Sequence, residues 1–282
     1  MSTIRWSRVA INLTVLVLVI IWTVPTLGLF ITSFRDKEAI FDSGWWAAFT
    51  DPQGALTLSN YEQVLFGGDG LANAFLNTLA VTVPAVVIPI LIAAFAAYGF
   101  AWMTFPGRRI LFITVVALLV VPLQIALIPV LRAYLAIDLN GTFLAVWLAH
   151  AGFGLALATY LLYNYISQLP KDLLESAALD GASHFTTFRT IILPLSMPAL
   201  ASFAIFQFLW VWNDLLVAST FLGTDREVQV MTQALVSMTG SRGQDWQLLT
   251  AGAFVSMIVP VLVFLGLQRY FVRGMLAGSV KG

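Results

Sequence analysis

The sequence predicts an all-α polytopic membrane protein with six transmembrane helices, some of them kinked, and a cytoplasmic helix-turn-helix loop. The first observation is its composition, because the 282 residues are 60% hydrophobic and only 10% charged, whereas soluble domains carry about 25% charged residues. The second is a series of apolar stretches of about 20 residues, the length that a helix needs to cross a bilayer. The 14 basic and 14 acidic residues balance, so there is no basic excess for binding nucleic acid.

Six stretches meet the length criterion, and together they predict a single transmembrane domain over residues 1–282. Their predicted bounds are 11–31, 71–98, 110–131, 142–163, 198–219 and 248–268. The first is too long for a signal-peptide core and lacks a cleavage site, so we expect a retained anchor. Several prolines lie inside these spans, where neighbouring helices can satisfy the carbonyls that proline leaves free. They indicate either ordinary kinks or helices that flex around a pathway.

The distribution of basic residues predicts the orientation. Nine of them fall on one predicted face, at Arg5, Arg8, Arg108, Arg109, Lys171, Arg189, Arg269, Arg273 and Lys281. The opposite face holds five, at Arg35, Lys37, Arg132, Arg226 and Arg242. Because cytoplasmic loops carry the excess of Lys and Arg, we expect both termini in the cytoplasm. The cytoplasmic segments then include the long loop 167–197 and a tail, 269–282.

The loop 167–197 has the signals of two short helices joined by a turn. Pro170 suits the first turn of a helix, and Gly181 can adopt the left-handed conformation that ends one. Ser183 can cap a second helix, which we expect Pro194 to break. His184 is interpreted as a surface residue of this loop. The first helix carries an apolar face at Leu173, Leu174, Ala177 and Ala178.

The spacing of residues in this loop resembles a family signature. Glu175-Ser176-Ala177 is followed by three residues and Gly181, then by nine residues and Ile191-Ile192-Leu193-Pro194. Permease subunits of binding-protein-dependent ABC importers carry Glu-Ala-Ala, Gly and Ile-x-Leu-Pro at the same spacing, with alanine usual where Ser176 stands. The carbohydrate-uptake branch, which includes the second permease of the maltose importer, is similar over about residues 71–282. The segments that carry this similarity are Asn77-Thr78, 96–109, 122–129, Trp212-Asn213-Asp214 and 268–282.

The resemblance implies the type I permease fold of a bacterial inner membrane importer, and it implies partners. These are a second homologous permease, two cytoplasmic ATPase subunits, an extracytoplasmic solute-binding protein and membrane lipid, with a sugar as solute. The residues that would couple to the ATPase are Glu175, Ser176, Ala177, Ala178, Asp180, Gly181, Ile191, Leu193 and Pro194. By the same resemblance, the tail residues Gly274, Lys281 and Gly282 reach the interface of the ATPase dimer.

Catalysis by this chain is not expected. A phosphate-binding loop ends in Gly-Lys-Ser/Thr, and the sequence contains no Gly-Lys pair. ATP and Mg²⁺ are therefore expected on the partner ATPase, with no cofactor or metal bound by this chain. A membrane metalloenzyme is disfavoured because no His-Glu-x-x-His motif occurs.

Polar side chains inside the predicted spans are candidates for the translocation path, because such groups usually face a bundle interior or a cavity. They are Asn77, Gln124, His150, Trp212, Asn213 and Asp214. The alternative is structural, with hydrogen bonds between helices and a helix capped by Asp214 near the interface. In the maltose importer the companion permease makes most of the direct sugar contacts, which favours this alternative.

Other functions and other contacts remain open from the sequence alone. A secondary carrier or channel usually shows repeated halves or several buried charges, and neither is evident. Within the family, the solute can instead be glycerol phosphate, another polyol derivative or an oligosaccharide. The outer loops 35–70 and 220–247 can dock a solute-binding protein. Trp45, Trp46, Phe49 and Tyr61 indicate a segment that lies along the membrane surface.

Overall fold

The computed structural model describes residues 6–50, 56–67, 71–238 and 245–279, and within these ranges all regular structure is helical. The first helices are α1 (Trp6–Thr32), α2 (Lys37–Asp42), α3 (Ser59–Phe66), α4 (Ala72–Trp102), α5 (Arg108–Ala117), α6 (Leu123–Ala136) and α7 (Phe143–Ile166). The remaining ones are α8 (Lys171–Leu179), α9 (His184–Thr187), α10 (Leu193–Leu195), α11 (Met197–Trp212), α12 (Leu216–Phe221), α13 (Met231–Met238) and α14 (Trp246–Ser279). Short 3₁₀ helices occur at Trp45–Phe49 and Leu118–Val120, and a π-helical turn at Phe188–Ile192.

The helix lengths confirm the predicted all-α membrane fold. Helices α1, α4, α7 and α14 are each long and apolar enough to cross a bilayer. Two further pairs pass the same test together, one bent by 106° after Val120 and one by 71° after Leu195. Counting each bent pair as one span gives up to six spans in the described part of the chain.

The third predicted span, 110–131, is divided by Pro122. The helix from Arg108 ends at Val120, and α6 begins after Pro122, which has φ −63° and ψ 129°. Proline disfavours the helical conformation in the residue before it, and Val121 is accordingly extended, with ψ 115°. The result is a bend of 106°, far sharper than an ordinary kink.

The fifth predicted span, 198–219, also differs from the structure. Helix α11 ends at Trp212, and a separate helix, α12, begins at Leu216. The expected break at Pro194 is wrong, because Pro194 lies within α10. The wider π-helical turn Phe188–Ile192 comes just before this proline, in the region where its missing N–H would otherwise leave a carbonyl unpaired.

The C-terminal helix α14 extends beyond the predicted span 248–268 and includes Gly274. The first part of the predicted tail is therefore helical. Lys281 and Gly282 lie outside the described residues.

The chain divides into two compact units, residues 1–72 with 234–257 and residues 73–233 with 258–282. In the first unit the guanidinium of Arg35 is buried and donates to the carbonyls of Ala39 and Ser43. Trp45 packs against Gly28 of α1, and Tyr61 shares a 2.7 Å hydrogen bond with Ser33.

The second unit has a core rich in small residues. Ala93, Ala94 and Ala97 of α4 are buried in one cluster with Ala158 of α7. Small side chains allow the backbones of membrane helices to approach closely. The long helices α4, α7 and α11 thereby form the framework that positions the loop 167–197.

Candidate functional site

The turn of the loop 167–197 centres on Gly181, which adopts the predicted left-handed conformation with φ +72°. The N–H of Gly181 donates to the carbonyl of Ala178 at 3.1 Å, and the N–H of Ala182 donates to that of Ala177 at 2.9 Å. These two bonds form a Schellman motif, which satisfies carbonyls at the end of α8. The sequence prediction of a helix stop at Gly181 is confirmed.

Helix α8 presents most of the predicted coupling residues to solvent. Glu175, Ser176, Ala178 and Asp180 are exposed, whereas Ala177 is buried against the rest of the second unit. Leu179 is 88% exposed at the end of this helix. This apolar side chain and the two exposed carboxylates, Glu175 and Asp180, are therefore available for contact with a protein partner.

The second half of the loop begins with the predicted cap. The hydroxyl of Ser183 accepts a 3.2 Å hydrogen bond from the N–H of Thr186. Beyond it, Phe185 is exposed and Phe188 is buried. Of the remaining predicted coupling residues, Ile191 and Leu193 are half-buried and Pro194 is exposed.

The loop is attached to the C-terminal end of α4, a contact that the sequence analysis missed. The hydroxyl of Tyr98 lies 3.0 Å from Nδ1 of His184, and the ring of Phe95 stacks on that of Phe188 with centroids 4.2 Å apart. His184 is exposed, so the prediction that it is a surface residue is confirmed. The prediction did not include the hydrogen bond to Tyr98. The sequence signal that could have indicated this contact was the row of aromatic residues along one face of α4, at Phe95, Tyr98 and Trp102.

An open cleft of about 530 Å³ lies between α4 and this loop. Tyr98 and Trp102 line one side, and Lys171, Glu175 and Ser183 line the other. Trp102 donates a 3.1 Å hydrogen bond to the carbonyl of Ile166. This bond ties the end of α4, which lines the cleft, to the end of α7.

The predicted path residues His150 and Asp214 are brought together. Nε2 of His150 lies 3.6 Å from Oδ2 of Asp214, and both side chains are buried. The carboxylate also accepts hydrogen bonds from the N–H groups of Val217 and Ala218, at 3.2 and 2.9 Å. Asp214 therefore caps α12, as the structural alternative predicted.

The other four predicted path residues occupy separate positions. Asn77 donates to the carbonyls of Glu227 and Gln229, and Trp212 is buried against the rings of Phe75 and Phe208. Asn213 is exposed and donates to the carbonyl of Leu209, and Gln124 is exposed on α6. Their geometry provides structural roles for Asn77 and Trp212.

Residues 68–277 match the family of binding-protein-dependent transport system inner membrane components. The chain belongs to this family. The match covers most of the chain and includes the whole coupling loop. It confirms the resemblance to importer permeases and identifies the chain as an inner membrane component.

Two relatives agree with this family membership, and a solved structure shares the fold. The osmoprotective compounds uptake permease protein GgtD of Synechocystis sp. is 61% identical over 98% of this chain and 93% of its own length. The alpha-glucoside transport system permease protein AglG of Rhizobium meliloti is 43% identical over 100% of this chain and 98% of its own. A bacterial ABC transporter involved in the import of the acidic polysaccharide alginate contains a chain with the same fold. Its TM-score is 0.72 at 20% identity, over 96% of this chain and 99% of that one.

Proposed function

We propose that this chain is one of two permease subunits of an ABC importer for a sugar or a hydroxyl-rich osmoprotective solute. The observation that carries the proposal is the identity to GgtD and AglG over nearly the full length of each. One of these relatives is named for osmoprotective compounds and the other for alpha-glucosides. An alpha-glucoside offers many hydroxyl groups, and we extend this chemistry to the solute of this chain.

Coupling to a separate ATPase is assigned to the loop 167–197. The exposed carboxylates of Glu175 and Asp180 flank the exposed side chain of Leu179, and helix α8, whose C-cap is Asp180, fixes their spacing. An apolar anchor with charged groups around it is the usual composition of a protein interface. The ATPase, present as two subunits, would hold ATP and Mg²⁺, and the tail around Gly274 would contact it.

The opposite face is assigned to a solute-binding protein. Asn77 holds the backbone of the loop near Glu227 and Gln229 through bonds of 2.8 and 3.0 Å. A fixed loop at the outer end of α4 gives a docking partner a defined surface. This assignment follows the cytoplasmic location of both termini, which the excess of Lys and Arg predicts.

A direct role in the translocation path is assigned to His150 and Asp214 rather than to all six polar residues. Among the six candidates, these two side chains are both buried and lie 3.6 Å apart, and buried ionisable groups in a membrane bundle often mark a substrate path. This role is proposed in addition to the α12 cap that Asp214 provides. Uptake by an assembled Asp214→Asn variant tests this role, with Gln124→Ala as a variant at an exposed position. Gln124→Ala should leave uptake and solute preference unchanged, and the same result for Asp214→Asn would remove Asp214 from the path.

Reconstitution in vesicles tests the proposed function as a whole. The vesicles hold both permeases and the ATPase, the binding protein is added on the opposite side from the ATPase, and radiolabelled sugars and polyol derivatives are supplied in turn. We expect uptake that needs ATP on the ATPase side and the binding protein on the other. Uptake driven by an ion gradient in vesicles without the ATPase would contradict the proposal.

A further inference from the structure

Two prolines interrupt the hydrogen bonding of α4, the 31-residue helix Ala72–Trp102. Pro84 and Pro89 have no N–H group, so each leaves free the carbonyl four residues before it. These are the carbonyls of Ala80 and Ala85. In an apolar surrounding, a carbonyl without a donor is costly, and neighbouring helices can supply the missing donor in a membrane bundle.

Each freed carbonyl accepts a hydrogen bond from a side chain of a different helix. The indole N–H of Trp147, on α7, donates to the carbonyl of Ala80 at 3.0 Å. The amide of Gln207, on α11, donates to the carbonyl of Ala85 at 3.3 Å. The two prolines of α4 therefore have separate donors, one for each.

The site of Gln207 is closely fitted. Its side chain is fully buried, and its amide nitrogen also donates to the carbonyl of His150 at 3.3 Å. A Cβ atom at Gly154 of α7 would lie only 2.7 to 3.0 Å from this amide. The glycine thus makes room for a polar side chain that joins three helices, which accounts for a glutamine inside an apolar span.

The two prolines lie between contacts at the ends of α4. Near its N-terminal end, the hydroxyl of Thr78 accepts a 2.8 Å hydrogen bond from the N–H of Met231, beside the loop that Asn77 holds. Near its C-terminal end, Tyr98 contacts His184 of the coupling loop. One helix therefore contacts both the coupling loop and the predicted outer loop, with both proline sites in between.

We infer that Trp147 and Gln207 are positioning residues that hold α4 at its two proline sites. Displacement of the coupling loop is transmitted through α4 to the outer loop, and these two side chains determine where the helix bends. The role in transport rests on the proposed function, whereas the pairing of each side chain with one proline does not.

A double-mutant cycle tests the pairing. Pro89→Ala restores the N–H group that can donate to the carbonyl of Ala85, and Pro84→Ala does the same for the carbonyl of Ala80. We therefore expect Gln207→Leu to lower the melting temperature of the purified complex less in the Pro89→Ala background than in the wild type. An unpaired buried carbonyl shifts the folding equilibrium by roughly tenfold, so the difference is measurable. Trp147→Phe should show the same relation with Pro84→Ala.

The crossed pairs are the matched controls for this cycle. Gln207→Leu in the Pro84→Ala background and Trp147→Phe in the Pro89→Ala background should lose as much stability as in the wild type. Equal losses in the matched and crossed backgrounds would overturn the pairing. If Gln207→Leu alone does not assemble, recovery of assembly by Pro89→Ala but not by Pro84→Ala supports the pairing. If neither proline substitution restores assembly, the comparison of Trp147→Phe in the two proline backgrounds decides the question.

The number of ATP molecules hydrolysed per solute imported tests the transmission. We expect the Pro84→Ala/Pro89→Ala variant to retain stimulated ATP hydrolysis but to import less solute, so that this ratio rises. An unchanged ratio in an assembled complex would overturn transmission through α4 and leave the pairing intact. Failure of the wild-type complex to import any solute with ATP would instead contradict the proposed function.

Discussion

The hydroxyl of Tyr98 and Nδ1 of His184 lie 3.0 Å apart and join the end of α4 to the first turn of α9. The contact is reinforced by Phe188, whose ring centroid lies 5.6 Å from that of Tyr98 and 4.2 Å from that of Phe95. Because Phe188 is buried, the coupling loop cannot turn without moving either these rings or α4 itself.

Removal of the Tyr98 hydroxyl should weaken transmission between the loop and α4. Tyr98→Phe keeps the ring contacts but deletes one hydrogen bond, worth about 1 kcal/mol. We expect normal assembly and a higher ratio of ATP hydrolysed to solute imported. Tyr160→Phe, at an exposed tyrosine of α7, is the control. An unchanged ratio for Tyr98→Phe would show that the bond has no part in coupling.

Gly181→Val should reduce uptake more than Gly181→Asn does. The φ of Gly181 is +72°, and a Cβ added there would meet no atom within 4 Å, so the penalty comes from the backbone alone. The left-handed conformation costs an ordinary residue about 1–2 kcal/mol, and asparagine less. Uptake and stimulated ATP hydrolysis by reconstituted variants measure the order.

Gly152→Ala is the matched control for Gly181, because a Cβ at Gly152 would also meet no atom within 4 Å, but this glycine lies inside α7. Alanine is more favourable than glycine inside a helix by about 1 kcal/mol. The substitution should therefore leave α7 intact and transport unchanged. Full activity of Gly181→Val would contradict the role of the turn.

Substitutions at Asp214 should separate its cap from its charge. Asp214→Ala removes both acceptors of the α12 cap and should cost about 1 kcal/mol of stability. Asp214→Asn retains one amide oxygen as an acceptor, so it should cost less while removing the charge beside His150. Thermal unfolding of the purified complex measures both changes. Equal losses for Asn and Ala would show that the contact with His150 dominates over the cap.

Two basic residues of the first unit should differ widely in their effect on stability. Arg35 is 2% exposed and donates to backbone carbonyls, so Arg35→Met should cost about 1–3 kcal/mol by leaving them unpaired. Lys37 pairs with Asp245 at 2.9 Å, but both side chains are about 40% exposed. Lys37→Met should therefore cost under about 1 kcal/mol. Equal shifts in thermal unfolding would contradict this difference.

Local features of the coupling loop were predictable from the sequence. The left-handed turn at Gly181 and the cap at Ser183 depend on residues within a few positions of each other, and the structure has both. The effect of Pro194 was not predictable, because the π-helical turn before it lets the helix continue to Leu195. Likewise, Pro122 indicated a kink, but not a bend of 106°.

Contacts between distant segments could not be predicted. Tyr98 and His184 are 86 residues apart, and Asn77 is 150 residues from Glu227. A polar residue in an apolar span signals a buried partner, yet nothing in the pattern says whether that partner is a solute or a backbone carbonyl. The partners of Asn77 are backbone carbonyls of the loop near Glu227. The partners of Gln207 are backbone carbonyls of α4 and α7.

Site-directed cross-linking tests most directly whether the coupling loop meets the ATPase. The chain has no cysteine, so Leu179→Cys places a single thiol at a site that is 88% exposed. Phe66→Cys, at an exposed site of α3 in the predicted outer loop, is the control. We predict that a short bifunctional reagent joins the first variant, and not the second, to the ATPase in the assembled importer. A cross-link from Phe66→Cys to the ATPase, or none from Leu179→Cys, would contradict the account.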